Sequence, residues 1–207
     1  MAIAAVTIAA VGGHKLTPHG KAVLATLALV ALAVAILFAI DRPPICTCGY
    51  VELWHGTVQS SGNSQHVTDW YSPSHFTHGL IMYFVAWLLW RRWKLFGGRP
   101  ARFALPIATF VEAAWEVTEN TPTVIDRYRA VTVSFGYSGD SVLNSMGDIG
   151  CMILGFLVAS RLPWWLSLAI GVVFELLTLY VIRDNLTLNV IMLFWPIEAI
   201  RQWQAGG

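Results

Sequence analysis

Apolar runs and polar stretches alternate along the chain, and the alternation predicts helices. KAVLATLALVALAVAILFAI (21–40) is long enough to cross a bilayer, which takes about 20 residues. It exceeds a signal-peptide core, and no small-x-small cleavage site follows it. The apolar run within 1–20 is too short to span and gives way to Gly12-Gly13-His14-Lys15. Residues 41–72 read as a polar loop rich in Trp, Tyr, His, Ser and Gly. Its length favours a functional or capping role. Ser72-Pro73 reads as the N-cap and first position of a helix over 73–91. RRWKLFGGRPAR is a basic hairpin. A third helix is expected at 103–120, a second polar loop at 121–139 and a fourth helix at 140–160. RLP makes a tight turn before a fifth helix at 164–182. RDNLTLN breaks the pattern before a short last helix at 188–203.

Composition turns this pattern into a fold class. Of 207 residues, 56% are hydrophobic and 12% charged, against about 25% charged in soluble domains. The chain reads as all-α: a polytopic membrane helix bundle of about six transmembrane helices, one integral membrane domain over 1–207. Orientation follows from Lys and Arg. With both termini inside, nine face inward (Lys15, Lys21, Arg91, Arg92, Lys94, Arg99, Arg102, Arg161, Arg201) and four outward (Arg42, Arg127, Arg129, Arg183). N-in/C-in is therefore expected, with both polar loops outside. The net charge of +1 and the lack of a basic stripe argue against nucleic acid. Cys46-Thr47-Cys48 reads as a disulfide, a metal-ligand fragment or two ordinary thiols.

The polar residues inside the helices converge. On the fourth helix Asp140, Asn144 and Asp148 fall within about 80°, with Gly147, Cys151 and Gly155 in the same sector. On the third, Glu112, Glu116 and Glu119 fall within about 60°, flanked by Trp115 and Asn120. If these helices are neighbours, Glu119 matches Asp140 in depth, Glu116 matches Asn144, and Glu112 matches Asp148. His75 and His78 share a face at the same end of the second helix, followed by Gly79. Glu175 sits on the fifth helix, and Asn185 and Asn189 open the last. The 121–139 loop supplies Asp126, Arg127, Tyr128 and Arg129. Asp140 alone reads as a helix N-cap. Carboxylates at membrane depth are costly and usually line a site or pathway, and several together need cations or shared protons. The clustered Trp residues at the helix ends read as interfacial belts.

Three functions fit. The first is an enzyme acting on a lipid or lipid-linked substrate, with Glu112, Glu116, Glu119, Asn144 and Asp148 as catalytic candidates. Arg127, Tyr128, Arg129, Asn120, Asp140 and Asn185 are then substrate-binding candidates. Its sharper form is a metal-dependent hydrolase or transferase, with His75 and His78 joining carboxylates around zinc or iron. HxxH is not HExxH, and no serine sits in a G-x-S-x-G elbow. The second is a proton-coupled transporter, although no internal repeat is present. The third is a non-enzymatic envelope accessory protein.

SSGNSQHVTDWYSPSHFTHG, EAAWEVTENTPTVIDRYR, GDSVLNS and YVIRDNLTLNVIMLFWPIEAIRQW resemble an uncharacterised family of bacterial inner-membrane proteins. It is catalogued as domain of unknown function 2585, or uncharacterised protein family 0314. The likeness covers nearly all of 41–203 and implies a multi-pass inner-membrane location without an established activity. Gly62 and Gly136 stand where that family usually carries an acid, which argues against an essential acid at either point. A shorter likeness to VanZ-like membrane proteins rests on Glu112/Glu116, Arg127, Asp140, Asn144, Gly147 and Gly155.

Overall fold

The computed structural model describes residues 16–133 and 136–206, and every regular element in them is a helix. The apolar run before Gly12 and the cation Lys15 lie outside the described residues. Helix α1 spans Pro18–Ala39, opened by Thr17, whose hydroxyl accepts from Gly20 N–H at 3.1 Å. Helix α2 covers Ser72–Ala86 and continues as a π-helical segment, Trp87–Arg92, into the basic hairpin. Helix α3 covers Ala104–Glu119, α5 covers Val142–Ala159 and α6 covers Trp164–Ile182. These limits lie within three residues of the expected ones.

Helices α1, α5 and α6 are long and apolar enough to cross a membrane, with mean hydropathies of 2.8, 1.7 and 2.1. Helices α1 and α6 leave most of their apolar side chains uncovered. Leu168, Val173 and Leu176 on α6 are each more than half exposed. A continuous apolar surface of this kind needs lipid or another protein around it.

Two expectations fail. The 121–139 segment contains a helix, α4 (Pro122–Val131), whose Ile125, Tyr128 and Val131 are buried at a spacing of three. The last helix, expected at 188–203, is two short ones, α7 (Leu186–Phe194) and α8 (Glu198–Gln204), broken at Trp195-Pro196-Ile197. Proline cannot continue the helix because it lacks an N–H and clashes with the preceding turn. Nine residues rise only about 14 Å, half of an apolar bilayer core. The chain therefore does not return to its starting end. His19 near the start of α1 lies beside Arg91, Arg102 and Ser160. Gln204 hydrogen-bonds Asp184 at the opposite end, where Arg42 follows α1 and donates to the Asp140 carbonyl. Arg201 on α8 therefore lies at the Arg42 and Asp184 end of the bundle, away from His19 and Arg91.

Helices α2 and α5 pack through glycine. A Cβ on Gly79 would lie 2.1 Å from the Met152 carbonyl, and one on Gly155 2.1 Å from the Phe76 carbonyl. Helix α1 packs against α3 and α5, and α6 packs against α2. The 41–72 loop closes over the start of α5. Pro43 and Pro44 carbonyls accept from Val142 and Leu143 N–H, and Ser64 C=O accepts from Ser141 N–H. These are first-turn donors that no helix can satisfy internally. Gly147 sits under the Val67 carbonyl, where a Cβ would be 1.9 Å away. The glycine thus seats the loop rather than a neighbouring helix.

Candidate functional site

Beneath the loop lies a cavity of about 720 Å³. Its polar side is formed by the 56–64 loop, the starts of α2 and α5, and Glu119. Its apolar side is formed by Val181, Leu186, Val190, Leu193 and Phe194. Of the residues the sequence singles out, His75, His78, Glu119, Tyr128, Asp140, Asn144 and Asp148 line it. Glu112 and Glu116 stand directly behind the two histidines, 0% and 1% exposed.

His75 joins three helices. Its Nδ1 lies 2.7 Å from Glu112 Oε1 and 3.3 Å from Glu116 Oε1, both on α3. Its Nε2 lies 3.8 Å from Asp148 Oδ2 on α5. His78, one turn further on α2, places Nδ1 3.1 Å from both Glu112 oxygens. An α2 histidine therefore stands between Glu112 and Glu116 on α3 and Asp148 on α5, where the expected ladder had the two helices meeting directly. The two groups His75/His78/Glu112 and His75/Glu116/Glu119 each bring three ligand atoms within 4.8 Å of one another. Neither oxygen of buried Glu116 has a hydrogen-bond partner among the described residues.

The outer rung differs from expectation. Asn120, not Glu119, is level with Asp140: Asn120 Nδ2 donates to Asp140 Oδ2 at 2.8 Å, and Asp140 N–H donates to Asn120 Oδ1 at 2.7 Å. Asp140 is not the α5 cap. Ser141 is, accepting from Asn144 N–H at 3.1 Å. Burial pushes the Asp140 carboxyl above the usual range, although hydrogen bonds from Asn120 and Tyr137 oppose the shift. Asn144 holds the loop by donating to the His66 carbonyl at 2.9 Å. Ser72 is likewise not a cap. It lies inside α2, and its hydroxyl donates to Asp148 Oδ1 at 2.9 Å. The turn before α2 is organised by Asp69, whose carboxylate accepts from Ser64 and Tyr71 N–H.

Several candidates have structural partners. Arg127 donates to the Leu193 carbonyl, and Arg129 donates to the Tyr137 carbonyl and pairs with Asp126 at 3.5 Å. Both arginines tie α4 to its surroundings and neither lines the cavity. Asn185 caps α7 by accepting from Leu188 N–H. Glu175 accepts from Leu186 and Thr187 N–H and so anchors the same helix. Tyr128 donates to Asn189 at 2.8 Å across the cavity wall. Cys46 and Cys48 are joined as a disulfide in the structure, and with His66 the same two sulfurs form a group close enough to hold a metal.

The sequence profile described as "Protein of unknown function (DUF2585)" matches residues 37–206. The chain belongs to this family. It is 52% identical to a UPF0314 protein of Novosphingobium aromaticivorans over 94% of this chain and 98% of the relative. It is 57% identical to one of Sphingopyxis alaskensis (89% and 95% covered) and 56% identical to one of Paracoccus denitrificans (88% and 91%). No solved structure matches the chain. The name shared by these DUF2585 proteins carries no activity.

Proposed function

We propose that this DUF2585 protein is a multi-pass inner-membrane enzyme that binds a divalent metal below an outward-facing cavity and acts there on a lipid or lipid-linked substrate. The observation that carries this reading is Glu116, a buried carboxylate without a hydrogen-bond partner among the described residues, 3.3 Å from His75. Around it Glu112, Glu119 and Asp148 lie close to His75 and His78, the only basic side chains paired with these carboxylates among the described residues. Four carboxylates against two imidazoles cannot all be ionised without a further cation or shared protons. Nitrogen and oxygen donors of this kind suit zinc or iron. A metal so held would supply Lewis acidity and an activated water.

The orientation proposed is N-in and C-out, with α2 and α3 completing a five-helix span. The cations at the α1 starting end (Lys21, Arg91, Arg92, Lys94, Arg99, Arg102, Arg161) outnumber those at the cavity end (Arg42, Arg127, Arg129, Arg183, Arg201) by seven to five among the described residues. The disulfide lies at the cavity end, which fits an oxidising compartment. The paired polar and apolar walls suit an amphiphile whose chain lies along α6 and α7. Comparing lipids of a deletion strain complemented with wild type or Glu116→Gln tests the reading. A precursor should accumulate unless wild type is supplied. An unchanged lipid profile in the deletion strain would contradict it.

A further inference from the structure

Outside the His75 cluster, the 41–72 loop carries a second constellation. His55 Nδ1 lies 2.8 Å from Glu52 Oε2, and His55 Nε2 lies 2.7 Å from Ser60 Oγ. A carboxylate on one ring nitrogen and a hydroxyl on the other is the arrangement that activates a serine nucleophile. Ser60 lines the cavity. His55 is held by its surroundings. His66, fully buried, stacks on it with ring centroids 4.8 Å apart. Gly62 passes so close that a Cβ would lie 2.9 Å from His55 Cε1.

Glu52, His55 and His66 also lie close enough together to hold a metal, but their hydrogen bonds favour the serine reading. Both nitrogens of His55 are engaged. His66 Nδ1 accepts from Glu52 N–H at 3.1 Å, so its Nε2 carries the proton and offers no lone pair. That N–H sits 3.9 Å from Glu52 Oε2, on the side of the carboxylate charge.

We propose that Ser60, His55 and Glu52 form a nucleophilic triad that cleaves a carboxylic ester entering the cavity. Ser60 Oγ attacks the ester carbonyl and forms the C–O bond, while its proton passes to His55 Nε2 and the carbonyl electron pair moves onto oxygen. Collapse of that adduct breaks the ester bond, and the departing alcohol takes the proton from His55. Water repeats the sequence, releasing the carboxylic acid and restoring Ser60. Glu52 is a positioning residue: it accepts from His55 Nδ1 and steadies the imidazolium. Ser60 also donates to the Thr57 carbonyl at 2.8 Å. That bond holds the hydroxyl until the proton turns to His55. The chemistry rests on the cavity reading only for the lipid nature of the acyl group, and it uses no metal.

The test is labelling of the purified full chain in detergent with an alkyl fluorophosphonate, with the modified residue located by mass spectrometry. Modification is expected at Ser60, unchanged by EDTA, and absent in Ser60→Ala but retained in Ser61→Ala. His55→Gln should slow it about 100-fold or more. Glu52→Gln should slow it and Glu52→Asp should restore part of the rate, with thermal unfolding confirming that each variant is folded. No modification of Ser60 in folded protein, or a rate indifferent to His55→Gln, would overturn the triad. Labelling lost on chelation would also overturn it, in favour of the metal.

Discussion

His75 Nδ1 stands 2.7 Å from Glu112 Oε1 and, on the same side, 3.3 Å from Glu116 Oε1. One imidazole therefore serves two buried carboxylates, and only Glu112 has further partners. Glu112 is hydrogen-bonded by both histidines, whereas Glu116 has no hydrogen-bond partner among the described residues.

This asymmetry predicts opposite effects. Glu112→Ala leaves His75 and His78 without their shared acceptor and should cost about 3–5 kcal/mol, the range for breaking a buried pair. Glu116→Gln removes a buried charge that shares His75 with Glu112 and has no hydrogen-bond partner among the described residues. It should raise the unfolding temperature of the metal-free protein while removing any stabilisation by added metal. Thermal unfolding in micelles, with and without zinc, checks both.

The α2–α5 seam predicts a contrast between two glycines of one helix. Gly155→Ala drives a methyl to 2.1 Å from the Phe76 carbonyl. Backbone cannot yield as a side chain can, so the cost should be about 3 kcal/mol or more. Gly150→Ala meets no atom within 4 Å and should be neutral or stabilising by about 0.5–1 kcal/mol. Denaturant unfolding of the two variants separates packing from helix propensity.

Asp184 predicts a pH dependence. Burial raises its carboxyl from 3.8 to about 6, against hydrogen bonds from Asn185 N–H, Tyr71, Asn189 and Gln204 that lower it. A raised folded-state value means the folded form binds the proton more tightly. The contribution is full below about pH 4 and is lost as pH rises through about 6. Asp184→Asn, which cannot ionise, should therefore be more stable than wild type at pH 8, by up to about 3 kcal/mol. The gap should close towards pH 4. Unfolding curves across this range measure it.

Much of the bundle is legible in the sequence, because apolar runs and their polar breaks mark α1, α2, α3, α5 and α6 to within three residues. The convergence of Glu112, Glu116, His75, His78 and Asp148 is legible too, since helical spacing fixes which side chains share a face. Helix α4 left a signal in Pro122 and the apolar triplet Ile125, Tyr128 and Val131, overshadowed by its charged residues. Pro196 likewise marked the break between α7 and α8. Caps were harder. Asp140 and Ser141 are both good capping residues, and only the loop packed on α5 decides between them. Glu52, His55 and Ser60 could not be found by period at all. They meet because an irregular loop folds back, held by contacts such as Gln65 to the Gly139 carbonyl and Val67 over Gly147.

The Glu116 pocket is expected to hold a cation, and the metal content of the purified chain reads this out. Chain purified without chelator should carry about one zinc, iron or manganese ion by elemental mass spectrometry. Glu116→Gln and His75→Ala should carry almost none, and metal-free wild type should take up zinc on titration. Wild-type protein that is metal-free as purified, and titrates no differently from Glu116→Gln, would show that the pocket holds no cation.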